Sequence, residues 1–257
     1  MKRIAPAAKL FALFVMFVFC TTASTAFDLQ IGRKHKVSEY QALAVPASGA
    51  VSGFESADYM TDVTGQGTYT WPADKLPIKV WVSDGKGVPG YRPEFGQYIR
   101  QSFDWWCQAS GNKLSWVEVK DAAKADITVQ WTDQVSERPE GTEAGKTSCM
   151  TRLNTATGQG VIYGARMQML TRLPGREFGD AEVSKTCLHE AGHAFGLQGH
   201  SHDRNDIMYY AIGPAQEFQL SERDKTTMAR LYSGYPVSDS LALGHVTTAP
   251  TKAPLAK

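Results

Sequence analysis

Between His189 and Tyr209 the chain reads His-Glu-Ala-Gly-His-Ala-Phe-Gly-Leu-Gln-Gly-His-Ser, and shortly afterwards Asn-Asp-Ile-Met-Tyr. Three of its six histidines stand at spacings that can close on one metal ion. His189 and His193 are four residues apart. On an α-helix, positions i and i+4 share a face, so both imidazoles can point at one ion. Glu190 follows the first of them, and its carboxylate projects beside that ion. There it can take a proton from a zinc-bound water, whose pKa zinc lowers to about 7. Gly196 comes three residues after His193. Glycine accepts the left-handed conformation that stops a helix, so the chain can turn back and offer His200 as a third ligand. Three protein ligands leave a fourth position open, which separates a catalytic zinc from a closed structural one. A bare His-Glu-x-x-His arises by chance in many proteins. The glycine stop, the third histidine and Met208-Tyr209 downstream make this one specific. A structural zinc site would draw on cysteines and leave Glu190 without a purpose.

This segment resembles the metzincin clan of zinc endopeptidases, and within it the matrixin branch with its bacterial secreted members. The family pattern is His-Glu-x-x-His-x-x-Gly-x-x-His, with a methionine turn behind the metal. Here the third histidine falls one residue late, because Gln198-Gly199 adds a position. The downstream frame still supports His200. Counting from it, Ser201 follows, Asp203 is at plus three, and Met208-Tyr209 at plus eight and nine, as in a matrixin. His202 is the rival third ligand, and it breaks that frame. Tyr210 stands where other metzincin branches carry a tyrosine that stabilises the transition state, and where matrixins usually have proline. The other reading of Tyr210 is an aromatic packed below the site.

Composition narrows the remaining classes. The formal net charge is +1, so nothing points to nucleic acid or to steering by acidic partners. Lys2 and Arg3 precede an apolar stretch over residues 10–19, which ends in Ala23-Ser-Thr-Ala26. That is the pattern of a secretory signal peptide over residues 1–26, with cleavage expected after Ala26. The apolar core is short of the ~20 residues that a bilayer span needs, so no membrane association is expected once the signal is removed. Cys20 would suggest a lipid anchor, but Phe19 before it is bulky where small residues are wanted. Export leads to an oxidising compartment, outside the cell or in a periplasm. One disulfide among Cys107, Cys149 and Cys187 is therefore expected. Cys187 should pair with either Cys107 or Cys149. No cysteine precedes Cys107 in the mature chain, so the thiolate with which a matrixin propeptide normally blocks zinc is not visible.

Residues 27–67 form an arm or short pro-segment, with a linker-like run of Gly, Ser, Ala and Pro at 45–54. The catalytic domain is expected over residues 68–236 and a flexible tail over 237–257. Residues 78–82 alternate like a strand, and Phe95, Ile99, Phe103 and Trp106 recur at helical spacing over 93–110. Segments 114–119 and 125–131 are two more strands, and 161–169 is the strand expected beside the active site. The zinc helix should span 180–196. A last helix should open on Ser221-Glu-Arg-Asp224, a capping-box pattern, and run to about Ser233. The expected fold is α+β: a metzincin-like catalytic domain with a twisted mixed sheet, an antiparallel edge strand, a zinc helix and a C-terminal helix. That order matches the matrixin domain over about residues 71–235. The resemblance is weak in the loop 133–160, where matrixins commonly carry a structural zinc and calcium. The loop has no histidine, so a single catalytic zinc is expected. Asp133, Glu137, Glu140 and Glu143 are candidate calcium ligands. Matrixins also open the last helix with two adjacent acidic residues, whereas here Arg223 replaces the first and Asp224 remains.

The expected activity is that of a secreted zinc endopeptidase acting on protein or peptide substrates as a monomer. Its metal ligands would be His189, His193 and His200, its base Glu190, and Met208 would form an apolar floor. Substrate would lie antiparallel along 161–169 by main-chain pairing to an exposed edge. The alternatives are a secreted zinc-binding interaction module that no longer cleaves, and an envelope protein with a vestigial site.

Overall fold

A computed structural model describes residues 57–64, 67–134, 144–154, 156–212 and 217–234, and the backbone of 16–17, 137–138 and 141–142. The expected signal peptide, the linker at 45–54 and the tail at 237–257 lie outside these residues, apart from the backbone of 16–17. In chain order the main elements are α1 (Met60–Val63), β1 (Thr68–Thr70), β2 (Ile78–Val82), α2 (Pro93–Ala109) and β3 (Trp116–Glu118). Then come β4 (Ile127–Thr132), β5 (Gly145–Asn154), β6 (Gln159–Leu170), α3 (Asp180–Ala194) and α4 (Glu222–Leu231). No helix among the described residues is long and apolar enough to cross a membrane.

Six strands form one mixed, mainly parallel sheet in the order β1-β6-β4-β2-β3, with β5 added on β6. Parallel pairs need crossovers, and the crossover from β2 to β3 is α2. Its apolar residues Phe95, Ile99, Phe103 and Trp106 recur every three or four positions and are fully buried, so one stripe faces the sheet. Pro93 opens the helix where its missing N–H is harmless. Gly111 and Asn112 then take positive φ and end it. The buried face of the sheet, with Ile78, Val80, Ile127, Val129, Ile162 and Met167, meets α2 and α3 in one core. Val117, Val161 and Tyr163 on the opposite face are exposed. This is the expected α+β class, with an antiparallel strand at one edge.

The identity of that edge strand corrects the sequence reading. Residues 161–169 belong to β6, which is interior. β1 lies against 159–161 and β4 against 165–170, both parallel, while β5 pairs antiparallel along 159–169. The open edge belongs to β5, inside the segment expected to be loop. Its core-facing positions are Gly145, Thr147 and Cys149, buried between half-buried Lys146, Ser148 and Met150. A glycine and two small polar residues carry no hydrophobic alternation, which is why the pattern missed the strand.

The cysteines are a second correction. Cys107, Cys149 and Cys187 are free, so Cys187 pairs with neither of the others. They sit on α2, β5 and α3, and all three are buried. Burial lifts the Cys149 thiol to about 12 and raises Cys107 and Cys187 as well, so all three stay protonated thiols.

Candidate metal and catalytic site

The site is built on α3, an unusual helix. From Val183 to Ala194 every residue is buried, including Lys185, Thr186, His189, Glu190 and His193. Polar groups are costly to bury without partners, so a helix that buries this many is held for chemistry. Its N-terminus is anchored by the Glu182 carboxylate, which accepts the Gly179 N–H at 3.0 Å. Side chains from three directions also bind its carbonyls. Trp106 donates to Leu188 at 2.8 Å, Trp71 to Ala194 at 2.8 Å, and Thr147 lies 3.1 Å from the carbonyl of Glu190.

The helix stops where the glycine predicts. Gly196 adopts φ +113°, and a Cβ there would run into the Tyr69 carbonyl. The chain turns back, and Gly199 packs so closely on the Asp62–Val63 backbone that a side chain would collide with the Asp62 carbonyl. Gln198 donates to the His193 carbonyl at 3.1 Å. The extra residue between Gly196 and His200 is thus absorbed against α1, and His200 still reaches the other two histidines.

The ligand atoms of His189, His193 and His200 all lie within 4.8 Å of one another. His189 Nδ1 is 2.7 Å from the Ile207 carbonyl, and His193 Nδ1 is 2.5 Å from the Leu197 carbonyl. A carbonyl oxygen only accepts, so each Nδ1 carries the proton and each Nε2 presents a lone pair. Those two Nε2 atoms face each other at 3.0 Å. Two lone pairs at that separation repel unless a cation lies between them. Zinc–nitrogen bonds of about 2.0–2.1 Å at a tetrahedral angle would separate the nitrogens by roughly 3.3 Å. The three histidines therefore suit a zinc ion. Burial, and then the neighbouring His200, pull His189 down to about 3, against the Ile207 carbonyl that raises it. His193 is driven well below the usual range, again mainly by burial. Both rings are neutral at pH 7, as metal ligation requires. His202 stands elsewhere: its side chain is 88% exposed, 3.8 Å from Asp62.

Glu190 is fully buried beside these rings. Its Oε2 accepts a hydrogen bond from the Thr147 hydroxyl at 2.5 Å. Gly145 leaves the room it needs, since a Cβ there would sit 2.7 Å from Glu190 Cγ. Behind the histidines, Met208 is fully buried against Gly192, where a Cβ would come within 2.5 Å of the Met208 sulfur. The methionine turn is held by Ser201 N–H, which donates to the Met208 carbonyl at 2.8 Å. Tyr210 is 39% exposed, and its ring centroid lies 4.3 Å from that of Tyr209.

Several supporting residues escaped sequence reasoning. Asp206 is 1% exposed and accepts from Ser201 Oγ at 2.5 Å, Ser221 Oγ at 2.6 Å and Arg223 Nε at 3.0 Å. It gives Arg223 a counter-charge at the start of α4. Asp224 forms the expected capping box with Ser221. Its buried carboxylate also accepts from the Ile207 N–H at 3.0 Å and the Tyr59 hydroxyl at 2.6 Å. The Ile207 carbonyl meets His189, so α4 supports that imidazole through one residue of backbone. Tyr59 belongs to the segment read as an arm, which is tied to α4 by Tyr59 and by an Asp58–Arg230 pair at 2.8 Å. Of this network the sequence announced only the Ser221–Asp224 capping box. Asp133, a candidate calcium ligand, is paired with Arg172 at 3.0 Å. Glu140 and Glu143 lie outside the described residues, and Glu137 is described by its backbone alone.

The Asp224 network carries a stability prediction. Asp224→Ala leaves the buried Tyr59 hydroxyl and Ile207 amide, and the half-buried Ser221 amide, without their acceptor. Each such group costs about 1–3 kcal/mol, so the variant should lose about 3 kcal/mol or more. Asp224→Asn can still accept from the two amides and should lose less. Urea unfolding should show a lower midpoint at unchanged m-value for both, in that order.

Two buried histidines on a helix, a third on the turn after it, a carboxylate beside them and an edge strand alongside are the arrangement a metallopeptidase needs. Residues 90–233, more than half of the 257-residue chain, match the family model described as Matrixin. The chain belongs to the matrixin family and is a zinc metallopeptidase, with the protein or peptide substrates and the catalytic zinc that membership implies. No curated protein matches it.

Proposed function

We propose that this chain is an exported zinc endopeptidase in which His189, His193 and His200 hold the metal and Glu190 is the general base. The observation that carries the reading is the placement of Glu190: buried, bonded to Thr147, and next to two imidazoles whose lone pairs converge at 3.0 Å. Zinc in such a site supplies Lewis acidity, polarising a carbonyl and acidifying water. Glu190 takes the proton of the attacking water and delivers it to the leaving amine. An extended peptide pairs with the outer edge of β5, which no other strand occupies among the described residues. Lys146, Ser148 and Met150, half-buried on that strand, contact the substrate's side chains. Export rests on Lys2-Arg3, the apolar run at 10–19 and the small residues before Phe27.

The test is digestion of unfolded casein by the purified protein with its metal content measured. We expect one zinc per chain, cleavage at internal bonds, loss of activity with a chelator, and recovery on adding zinc. A zinc-loaded protein that leaves casein intact would instead support a binding module. Release of terminal residues alone would make it an exopeptidase.

A further inference from the structure

We propose that Thr147 is a positioning residue for the reaction, holding the Glu190 side chain in its working conformation. This rests on the role of Glu190 proposed above. The Thr147 hydroxyl lies 2.5 Å from Glu190 Oε2 and 3.1 Å from the Glu190 carbonyl. A hydroxyl has one proton, and donation to the charged carboxylate is the stronger bond. Both side chains are buried, so bulk solvent does not compete for the Thr147 hydroxyl.

The strand makes Thr147 a rigid post. β5 pairs with β6 along its length, with Thr147 opposite Met167, which fixes the backbone beneath the hydroxyl. Threonine is β-branched and stiff at χ1. Two residues earlier on the same face, Gly145 supplies the volume that Glu190 occupies. Any side chain there would bring its Cβ to 2.7 Å from Glu190 Cγ and 3.0 Å from Oε1. Two residues later, the Cys149 sulfur meets the His193 carbonyl at 3.5 Å. One face of the edge strand therefore fits against the catalytic turn of α3, with space at 145 and a donor at 147. A glutamate has three rotatable side-chain bonds. Untied, it can swing away from the reacting water, and a displacement of about 1 Å can cost about 10² in rate.

The experiment compares wild type, Thr147→Val, Thr147→Ser, Glu190→Gln and the Thr147→Val/Glu190→Gln double variant on fluorescein-labelled casein at matched zinc occupancy. Valine keeps the shape and removes the hydroxyl; serine keeps the hydroxyl and removes the methyl. We expect Thr147→Val to lower kcat about 10–100-fold with KM changed less than about twofold. Thr147→Ser should restore kcat to within a few-fold of wild type. The double variant should be no slower than Glu190→Gln alone, because Thr147 acts through that carboxylate. A wild-type kcat for Thr147→Val beside a dead Glu190→Gln overturns the inference and leaves the proposed function standing. So does a serine variant no better than valine, or a double variant slower than Glu190→Gln by the full valine factor. Undiminished cleavage by Glu190→Gln would instead overturn the proposed function. If Thr147→Val does not fold, Thr147→Ala is judged by the same kcat and KM criteria.

Discussion

Glu190→Gln is expected to fold, to bind zinc as wild type does, and to lose about 10²–10⁴-fold in turnover, the usual worth of general-base catalysis. Glutamine has nearly the shape of glutamate, so the slot at Gly145 still accepts it, and its amide oxygen can still receive the Thr147 hydroxyl. What it lacks is a group that takes a proton at neutral pH. Thermal unfolding and zinc content should match wild type, and only the rate of casein cleavage should fall. The contrast with a structural role is sharp. A carboxylate kept for stability would show its loss in the unfolding midpoint, and the rate per folded molecule would hardly move. Equal rates for the two proteins at matched zinc would remove Glu190 from the mechanism.

His200→Ala is expected to lose zinc at concentrations where wild type is saturated, and activity with it, whereas His202→Ala should be silent in both. The two histidines are two residues apart, and the sequence admits either as third ligand. The structure separates them. The ring centroid of His200 is 5.3 Å from that of His189 and 4.9 Å from that of His193, while the His202 side chain is 88% exposed. Removing one of three ligands leaves a pair that holds a divalent ion weakly. The measurement is competition with a chromogenic zinc chelator. The reverse result, with His202→Ala losing the metal, would exchange their roles.

The elements of this protein differ in how openly the sequence announces them. α2 was legible because its stripe of Phe95, Ile99, Phe103 and Trp106 has the helical period and a glycine behind it. α4 was legible from its capping box, which the Ser221–Asp224 bonds realise. α3 was legible through His189 and His193, because i and i+4 on a helix is a local relation. β5 was hidden. Strand patterns are visible when one face is greasy, and its inner face is Gly145, Thr147 and Cys149, chosen to fit a glutamate and a helix carbonyl. The same blindness put the substrate edge on β6, whose strong alternation marks one buried face but does not say which strand lies at the edge. The expected disulfide failed for a related reason. Compartment chemistry says only that thiols can pair, while pairing needs two sulfurs side by side, and these three are buried as free thiols on three different elements.

By itself the sequence brought out His189, His193 and the carboxylate of Glu190, which stand within one helix, and left His200 and His202 as rivals on the turn that follows. The order and spacing of those three along the helix set their relation to one another, while the packing of the turn on α1 brought His200 to them. Only the tertiary structure decided what holds them. Thr147 is 43 residues from Glu190, Asp224 is 17 from Ile207, and Tyr59 is 165 from Asp224. Contacts at those separations are made by packing strands and helices against one another, and no local period or motif encodes which side chains will meet.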